Sequence, residues 1–399
     1  MEVDPSSICV KPAPSAVTAT HEQTGAWFIE GDDYITWKET PDSALWVHGT
    51  PGCGKTVICS TVIEEIQLCC SENPAYACAY FFFDNRNAQT DQALHEKLIR
   101  SIIQQLCDQS DSVPAPLVEI YGSGRQQVSV ASLQSALQKI IGGFERTYVI
   151  IDALDECTNR MKVLAWINDL MDWKAGKVCI LFSSRPEHDI TDTVRGMPYI
   201  FRVTLNNNLT DKDIGTYLDA MLSKLIRWNP QLIARVRALL ITGADGMFRW
   251  VALQIEALSN CRTPKAVEAQ LQTLPKDLDG MYERALLDHP NQVELKQFLM
   301  WLAFSIRPLM LQELVDVVTV DFSLDGLPSY NTDLKYFAPS DMRATCSTFV
   351  TELKGIVKLA HMSVKDYLVS DRLKNSAASY FCINAMLAHS LITKTCLAY

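Results

Sequence analysis

No stretch of this sequence reaches the roughly 18 uninterrupted apolar residues that a helix needs to cross a bilayer. The first five residues, MEVDP, lack the basic start and the apolar core of a signal peptide. No Cys-x-x-Cys pair occurs among the 13 cysteines, and their odd number and scattered positions disfavour both a disulfide framework and a zinc site. These absences predict a cytoplasmic chain with reduced thiols and no membrane span.

Clusters of Lys and Arg are also missing, and the 399-residue chain carries a formal net charge of −10. An extended nucleic-acid surface needs concentrated positive charge, so proteins are expected as partners and nucleic acid is not. Repeats of fixed period, such as ankyrin or WD40 repeats, are absent as well. With 48% hydrophobic and 21% charged residues, the composition is that of a globular protein of about two or three domains.

A phosphate-binding loop is the most informative feature that is present. It follows the apolar run Ala44–Val47 and occupies eight consecutive residues: Gly49, Thr50, Pro51, Gly52, Cys53, Gly54, Lys55 and Thr56. Glycines at this spacing let backbone N–H groups turn toward β- and γ-phosphates, while the lysine supplies charge and the threonine hydroxyl ligates Mg²⁺. A glycine-rich turn is the alternative, but the strand before and the helical pattern after favour a nucleoside triphosphate site.

Cys53 is unusual inside such a loop. A thiol at a helix amino terminus beside Lys55 is expected to have a lowered pKa and to be nucleophilic. We therefore predict that alkylation of Cys53 blocks nucleotide binding, with an inert filler of the tight loop as the alternative interpretation.

The first half of the chain alternates apolar runs with helical patterns. Continuous apolar runs of this length are typical of parallel strands buried on both faces. The predicted strands are Leu45–His48, Tyr76–Phe83, Tyr148–Ile151, Val178–Phe182 and Tyr199–Val203. They predict a doubly wound α/β P-loop NTPase domain with a mainly parallel sheet.

Helical periodicity takes over after residue 205. Apolar stripes at Ile214–Leu225 and Met247–Leu258 predict an all-α helical domain. The remaining pattern is compatible with a winged-helix domain: two helices within 291–318, a polar loop from about 321 to 341, a helix near 340–353, a turn at Lys354-Gly355, a strand Ile356–Leu359 and a helix that begins near Ser363.

These patterns give a domain plan for the whole chain. The predicted order is a tail or linker at 1–20, a nucleotide-binding domain at 21–205, a helical domain at 206–275, a winged-helix domain at 276–375, and the start of a further helical segment at 376–399.

Acidic residues follow the third predicted strand, where a P-loop NTPase needs a second Mg²⁺ ligand. Asp152 ends that apolar run and is the candidate metal ligand together with Thr56. Asp155 and Glu156 come next, and one of them is expected to polarise the attacking water. The alternative is a loop of solvated acids.

Arg185 follows the next predicted strand, in the run Ser183-Ser184-Arg185-Pro186. The carboxyl ends of parallel strands converge on one crevice, so Arg185 is expected to reach the site of Lys55 and Asp152 and to sense the γ-phosphate. A surface salt bridge is the alternative role.

Taken together, these residues resemble the NACHT class of STAND NTPases, specifically a fungal branch related to NLR-like and heterokaryon-incompatibility proteins. The resemblance covers almost the whole chain. Its carriers are His21-Glu22-x-Thr24-Gly25-x-Trp27, Phe81-Phe82-Phe83-Asp84, Asp152-Ala153-Leu154-Asp155-Glu156-Cys157, Ser184-Arg185-Pro186, Gly246-Met247-Phe248-x-Trp250, Leu274-Pro275, Arg307-Pro308-Leu309 and His361-x-Ser363.

The resemblance implies a signalling switch that binds and slowly hydrolyses ATP or GTP with Mg²⁺, acts in innate immunity or self/non-self recognition, and self-associates in a nucleotide-dependent way. It also implies that His361 contacts the β-phosphate of the bound diphosphate, ADP or GDP, and locks a closed state. A buried structural histidine is the alternative for His361.

Other classes of function are weighed against this switch by what the sequence contains. The Asn-Lys-x-Asp guanine clamp is absent, which argues against a Ras-like GTPase. A non-hydrolysing scaffold that nucleotide merely stabilises is the main alternative function. An AAA+-like remodelling ATPase is a second rival, but its arginine finger and pore loops are not identifiable in the sequence.

Overall fold

The computed structural model describes residues 25–84, 91–110, 129–205, 207–322, 328–339, 341–346 and 348–398. The chain divides into two compact units, one within 1–84 and 90–267 and the other within 85–89 and 268–399. The predicted tail at 1–20 and the residues His21 to Thr24 lie outside the described part. The domain boundaries at residues 205, 275 and 375 stay predictions.

The first unit contains a five-stranded parallel sheet in the order β2-β3-β4-β1-β5. Its strands are β1 Ser43–His48, β2 Tyr76–Phe82, β3 Arg146–Asp152, β4 Val178–Ser184 and β5 Ile200–Thr204. All five predicted strands are confirmed, with ends that differ by one or two residues. Continuous apolar runs were a reliable signal because the central strands are covered on both faces, as β4 shows by being buried over its whole length.

Helices cover both faces of this sheet and then continue as a helical region. Those of the first unit are α1 Ala26–Ile29, α2 Asp32–Glu39, α3 Lys55–Glu72, α4 Asp91–Asp108, α5 Val130–Gly142, α6 Arg160–Asp172, α7 His188–Gly196, α8 Asn207–Leu222, α9 Pro230–Ala244, α10 Phe248–Ser259 and α11 Pro264–Gln272, which runs across the division between the units. None of the helices in the described ranges combines the length and the apolar character needed to pass through a membrane.

The second unit combines helices with a three-stranded antiparallel sheet in the order β6-β10-β9. Its elements are α12 Leu278–Leu287, α13 Gln292–Phe304, β6 Leu309–Met310, α14 Leu311–Asp316, β7 Val320–Asp321, β8 Ser329–Tyr330, α15 Asp341–Cys346, β9 Val350–Leu353, β10 Ile356–Leu359, α16 Met362–Leu368, α17 Asp371–Lys374 and α18 Ala385–Ala398. Helices that precede a small antiparallel sheet are what the winged-helix prediction requires.

The predicted helix near 340–353 is wrong in its second half. The helix ends at Cys346, and β9 pairs antiparallel with β10. Lys354 and Gly355 both have positive φ, 51° and 81°, which is the backbone that a tight two-residue hairpin turn requires. The sequence pattern locates the turn at Lys354-Gly355, but it does not separate the short strand β9 from the helix α15 before it.

Candidate nucleotide-binding site

The phosphate loop joins β1 to the amino terminus of α3, as predicted. Gly52 and Gly54 adopt φ of +78° and +96°, a left-handed backbone that a residue with a Cβ rarely adopts. The 18-residue helix α3 then begins at Lys55, so its positive end faces the loop. This is the geometry in which backbone N–H groups and the helix dipole bind an anion.

Lys55 is held against the loop by the loop's own backbone. Its ammonium donates to the carbonyl oxygens of Gly49 at 2.8 Å and Thr50 at 3.0 Å. These contacts place the charge at the mouth of the loop, where phosphate oxygens are expected. Thr56 follows as the second residue of α3, where its hydroxyl can serve a cation.

The predicted reactivity of Cys53 is wrong. The side chain is buried, with 2% of its surface exposed, and burial raises the pKa of the thiol, while the charge of Lys55 lowers it by less. A Cβ on Gly49 would lie 2.8 Å from the Cys53 Sγ. Cys53 therefore fills the inside of the loop, and sequence spacing alone does not reveal that burial.

The acidic segment turns sharply at the end of β3. Asp152 is buried, with 3% exposed, and its Oδ1 accepts a hydrogen bond from the Ser183 hydroxyl of β4. Ala153 takes a left-handed backbone, with φ of +56°, and its N–H donates to the same Ser183 oxygen at 3.0 Å. In the sequence Ser183 is only part of the run before Arg185, and no pattern there indicates its contact with Asp152.

Asp155 and Arg185 come together at the carboxyl edge of the sheet. The backbone N–H of Arg185 donates to the Asp155 Oδ1 at 3.0 Å, and the Nε of the Arg185 guanidinium lies 3.1 Å from the Oδ2. Both oxygens of Asp155 therefore face Arg185. Glu156 closes the 3₁₀ turn Leu154–Glu156, and its N–H donates to the Ala153 carbonyl at 2.9 Å.

Arg160 supports this turn from α6, a role that no sequence pattern indicates. Its guanidinium forms a bidentate pair with Asp189 of α7, at 2.6 and 2.9 Å, and it approaches the Asp155 carbonyl at 3.4 Å. Because of Arg160, the pKa of Asp189 is lowered.

The first turn of α10 contacts the phosphate loop from the helical region. The Phe248 ring lies where a Cβ on Gly54 would be 3.3 Å away, and the Arg249 N–H donates to the Gly52 carbonyl at 3.4 Å. Tyr217 of α8 packs edge-on against Phe248, with ring centroids 6.3 Å apart. The segment that resembled a helical-domain motif is thus part of the loop's surroundings.

His361 lies in the second unit, at the N-cap of α16. Its Nδ1 accepts the Ser363 backbone N–H at 3.1 Å and lies 2.7 Å from the Ser363 Oγ, which in turn contacts the Tyr282 hydroxyl at 2.9 Å. A backbone N–H can only donate, so Nδ1 must accept, and a neutral His361 carries its proton on Nε2. The contact of His361 with a diphosphate stays a prediction.

The oxygen donors at the loop fit Mg²⁺. A buried carboxylate on Asp152 and a hydroxyl on Thr56 are the hard ligands that this ion prefers, and it usually completes its shell with phosphate and water. Within the described ranges no group of three or more His, Cys, Asp or Glu side chains could hold a metal.

Two family models and a curated protein match parts of this chain. Residues 23–185 match the family model described as "Nephrocystin 3, N-terminal", and residues 282–384 match "GPI inositol-deacylase, winged helix domain". The vegetative incompatibility protein HET-E-1 of Podospora anserina is 26% identical over 374 residues, which are 88% of this chain and 26% of that protein. These matches support a NACHT/STAND NTPase-like protein.

The chain is also similar to the azaphilone pigments biosynthesis cluster protein L of Monascus ruber, with 33% identity over 162 residues, 38% of this chain and 34% of that protein. The chain spans about a quarter to a third of the length of these two curated relatives. The winged-helix match confirms the predicted fold of the second unit.

Two solved structures are similar to this chain at low sequence identity. The Aeropyrum pernix ORC1 protein in complex with DNA is 12% identical with a TM-score of 0.39, over 83% of this chain and 87% of that chain. A Walker-type ATPase of Pyrococcus abyssi is 11% identical with a TM-score of 0.40, over 90% of this chain and 99% of that one. The P-loop NTPase fold therefore rests on the sheet order, the phosphate loop and the family models.

Proposed function

We propose that this NACHT/STAND protein is a nucleotide-controlled switch that binds a nucleoside triphosphate with Mg²⁺ and hydrolyses it slowly. The observation that carries the proposal is the phosphate loop, with Lys55 at its mouth and left-handed Gly52 and Gly54 within it. Thr56 and Asp152 would hold Mg²⁺, which neutralises phosphate charge when bound.

Asp155, Glu156 and Arg185 act on the γ-phosphate and on the attacking water. Asp155 binds the backbone N–H of Arg185 with one carboxylate oxygen and the Nε of its guanidinium with the other, and Arg185 senses the γ-phosphate. Glu156 polarises the attacking water. A slow reaction is sufficient, because hydrolysis serves as a timer and the bound nucleotide sets the state.

His361 acts as a neutral hydrogen-bond donor. With Nδ1 engaged by the Ser363 N–H, the Nε2–H is the group that donates to the β-phosphate of ADP or GDP and favours a closed state. A ligand shifts two states only through its difference in affinity for them, so loss of this contact in the triphosphate state would release the closed form. A hydrogen bond to a charged group is worth about 1.5–3 kcal/mol, or roughly 10- to 150-fold in that equilibrium.

Nucleotide-dependent self-association, a cytoplasmic location and a part in self/non-self recognition or innate immunity belong to the same proposal. Their support is the similarity to a vegetative incompatibility protein. Protein partners are expected because the net charge of −10 does not suit an extended nucleic-acid surface.

Replacing Glu156 by Gln tests hydrolysis directly. The switch predicts unchanged triphosphate affinity and turnover lowered by about 100-fold or more, because the group that polarises water is lost. Glu268→Gln, on α11, is the control. Equal turnover and equal nucleotide occupancy in the Glu156 variant and the wild type would instead favour the non-hydrolysing scaffold.

Mass spectrometry of the nucleotide carried by freshly purified protein identifies the base. Adenine nucleotide would assign ATP and ADP, and guanine nucleotide would assign GTP and GDP. Protein that carries neither and binds neither when they are added would contradict the proposal.

A further inference from the structure

A buried serine behind the candidate Mg²⁺ ligand has no role in the mechanism described above. Ser183 lies on β4 with 0% of its surface exposed. Its hydroxyl donates to the Asp152 Oδ1 and accepts the N–H of Ala153 at 3.0 Å. One hydroxyl thus fixes both the carboxylate and the first peptide of the turn that follows it.

The thiol of Cys59 lies beside this pair on α3, one turn after Thr56. It is fully buried and close to both Asp152 and Ser183. The carboxylate is therefore held by the strand next to its own, with a buried side chain of the helix that carries Thr56 beside it. A buried carboxylate with polar partners on the protein side has a restricted orientation.

We infer that Ser183 is a positioning residue for Mg²⁺ binding, acting through Asp152. By holding Oδ1 it sets the plane of the carboxylate relative to Thr56, and by accepting the Ala153 N–H it stabilises the left-handed turn that leads to Asp155. This inference rests on the proposed function, because it concerns the cation of the same nucleotide site.

Ser183→Ala and Ser183→Thr test the inference, with Ser184→Ala as the matched control. Ser184 is the next residue on β4 and equally buried, but its hydroxyl contacts Trp46 and the Arg185 carbonyl instead of Asp152. Binding of fluorescent mant-ADP and mant-GDP is measured without metal and then during titration with MgCl₂.

Loss of a group that orients a metal ligand lowers metal affinity by about 10- to 100-fold. We expect that weakening of Mg²⁺ affinity in Ser183→Ala, with metal-free nucleotide affinity within about twofold of wild type, and recovery in Ser183→Thr. A general loss of folding would reduce metal-free binding as well and would count against a positioning role.

Two outcomes separate this inference from the proposed function. Equal Mg²⁺ affinity in wild type and Ser183→Ala, with nucleotide bound by both, would overturn the role of Ser183 alone. A wild-type protein that binds neither nucleotide, with or without Mg²⁺, would overturn the proposed function and this inference with it.

Independently of nucleotide, strand β2 is at the edge of the parallel sheet, and two glutamine side chains bond to its backbone there. Gln109 accepts the Cys78 N–H at 3.0 Å and donates to the Cys78 carbonyl at 2.7 Å. Gln105 of α4 does the same at Tyr80, at 3.0 and 2.8 Å. Both glutamines border a groove of about 480 Å³ along this edge.

These two side-chain amides occupy the backbone groups that another strand would use. Cys78 and Tyr80 are two residues apart, so their N–H and C=O groups point the same way, away from β3. An edge strand with open backbone groups is a template for pairing with another chain.

The geometry points to Gln105 and Gln109 as an autoinhibitory contact that keeps β2 from pairing with a second copy of the chain. The test is the double variant Gln105→Ala/Gln109→Ala, with Gln104→Ala as control, since Gln104 is exposed on the same helix and contacts Asp108. Mass is followed by light scattering over a range of concentrations, and amide hydrogen exchange is followed in the peptide that contains β2.

We expect faster exchange of the β2 amides in dilute double variant and a concentration-dependent rise to at least twice the mass of the wild type. The Gln104 variant should behave as wild type. A double variant with wild-type mass at every concentration, whatever its exchange rates, would overturn the autoinhibitory role.

Discussion

The pairing of Asp155 with Arg185 makes a quantitative prediction about how the two residues depend on each other. At 3.1 Å, two unit charges in an effective dielectric of about 20 attract by about 5 kcal/mol. Desolvation offsets much of this, because Arg185 and Asp155 keep only 22% and 9% of their side-chain surface exposed. We expect a net coupling of about 1–3 kcal/mol, as found for residues in direct contact.

Asp155→Ala, Arg185→Ala and the double variant measure this coupling. Each single variant leaves a partly buried charge without its partner, so each should lower the free energy of unfolding by about 2–4 kcal/mol. The double variant should cost less than the sum of the two single changes, by the coupling of about 1–3 kcal/mol. Urea unfolding followed by tryptophan fluorescence gives the free energies, and triphosphate affinity gives a second cycle.

Additive single effects, with a coupling below about 0.5 kcal/mol, would refute the reasoning. Asp155 would then be free to act on the attacking water in its own right, and Arg185 would not depend on it for its orientation. Arg237→Ala, which breaks an exposed pair with Asp219, is the control and should cost less than about 1 kcal/mol.

Three further predictions follow from single contacts. Gly54→Ala combines a φ of +96° with a Cβ 3.3 Å from the Phe248 ring, and it should lower the free energy of unfolding by about 1–2 kcal/mol and weaken nucleotide binding, as calorimetry would measure. Burial raises the pKa of Asp213 above its usual value of 3.8, so the folded state favours the protonated carboxyl. The free energy of unfolding therefore falls as the pH rises through that raised pKa. Asp213→Asn should remove this step from the pH dependence of the melting temperature. Tyr282→Phe takes away the hydroxyl that contacts Ser363 and should weaken ADP or GDP binding by about fivefold.

Each of these three predictions has an outcome that would contradict it, and the predictions for Gly54 and Tyr282 also have a control variant. Gly176→Ala has a φ of +69° with no atom near its Cβ, so it isolates backbone strain from the contact with Phe248; equal nucleotide affinity in both glycine variants would remove that contact from the account. An Asp213→Asn protein with the wild-type pH profile would show that Asp213 does not titrate as stated. Tyr367→Phe controls for Tyr282, and equal losses in both would assign the effect to packing.

The sequence was most informative where one physical cause dominated. Apolar runs located all five parallel strands, and the loop from Gly49 to Thr56 was identified because its glycines are required by backbone geometry. The rule that parallel strand ends share one edge predicted that Arg185 lies near the end of β3, at Asp152, but not that it contacts Asp155. Their direct pairing depends on side-chain rotamers, which that rule does not give.

Other features depend on competition between effects that a sequence does not weigh. The charge of Lys55 lowers the pKa of Cys53 while burial raises it, and burial is the larger cause. The helical pattern near residue 346 competes with a hairpin whose turn at Lys354 needs a left-handed backbone. Ser183 was missed because a serine in a strand carries no signal until its neighbour on the next strand is known.

Nucleotide retention by wild type, Lys55→Ala and Asp152→Asn tests the central claim most directly. Binding of mant-labelled ATP and GTP is measured by fluorescence in the presence of Mg²⁺, with circular dichroism to confirm folding. Lys55 supplies the charge at the loop and Asp152 the ligand for the cation, so each change should weaken triphosphate binding by about 10-fold or more. Wild-type affinity in both folded variants would contradict the account.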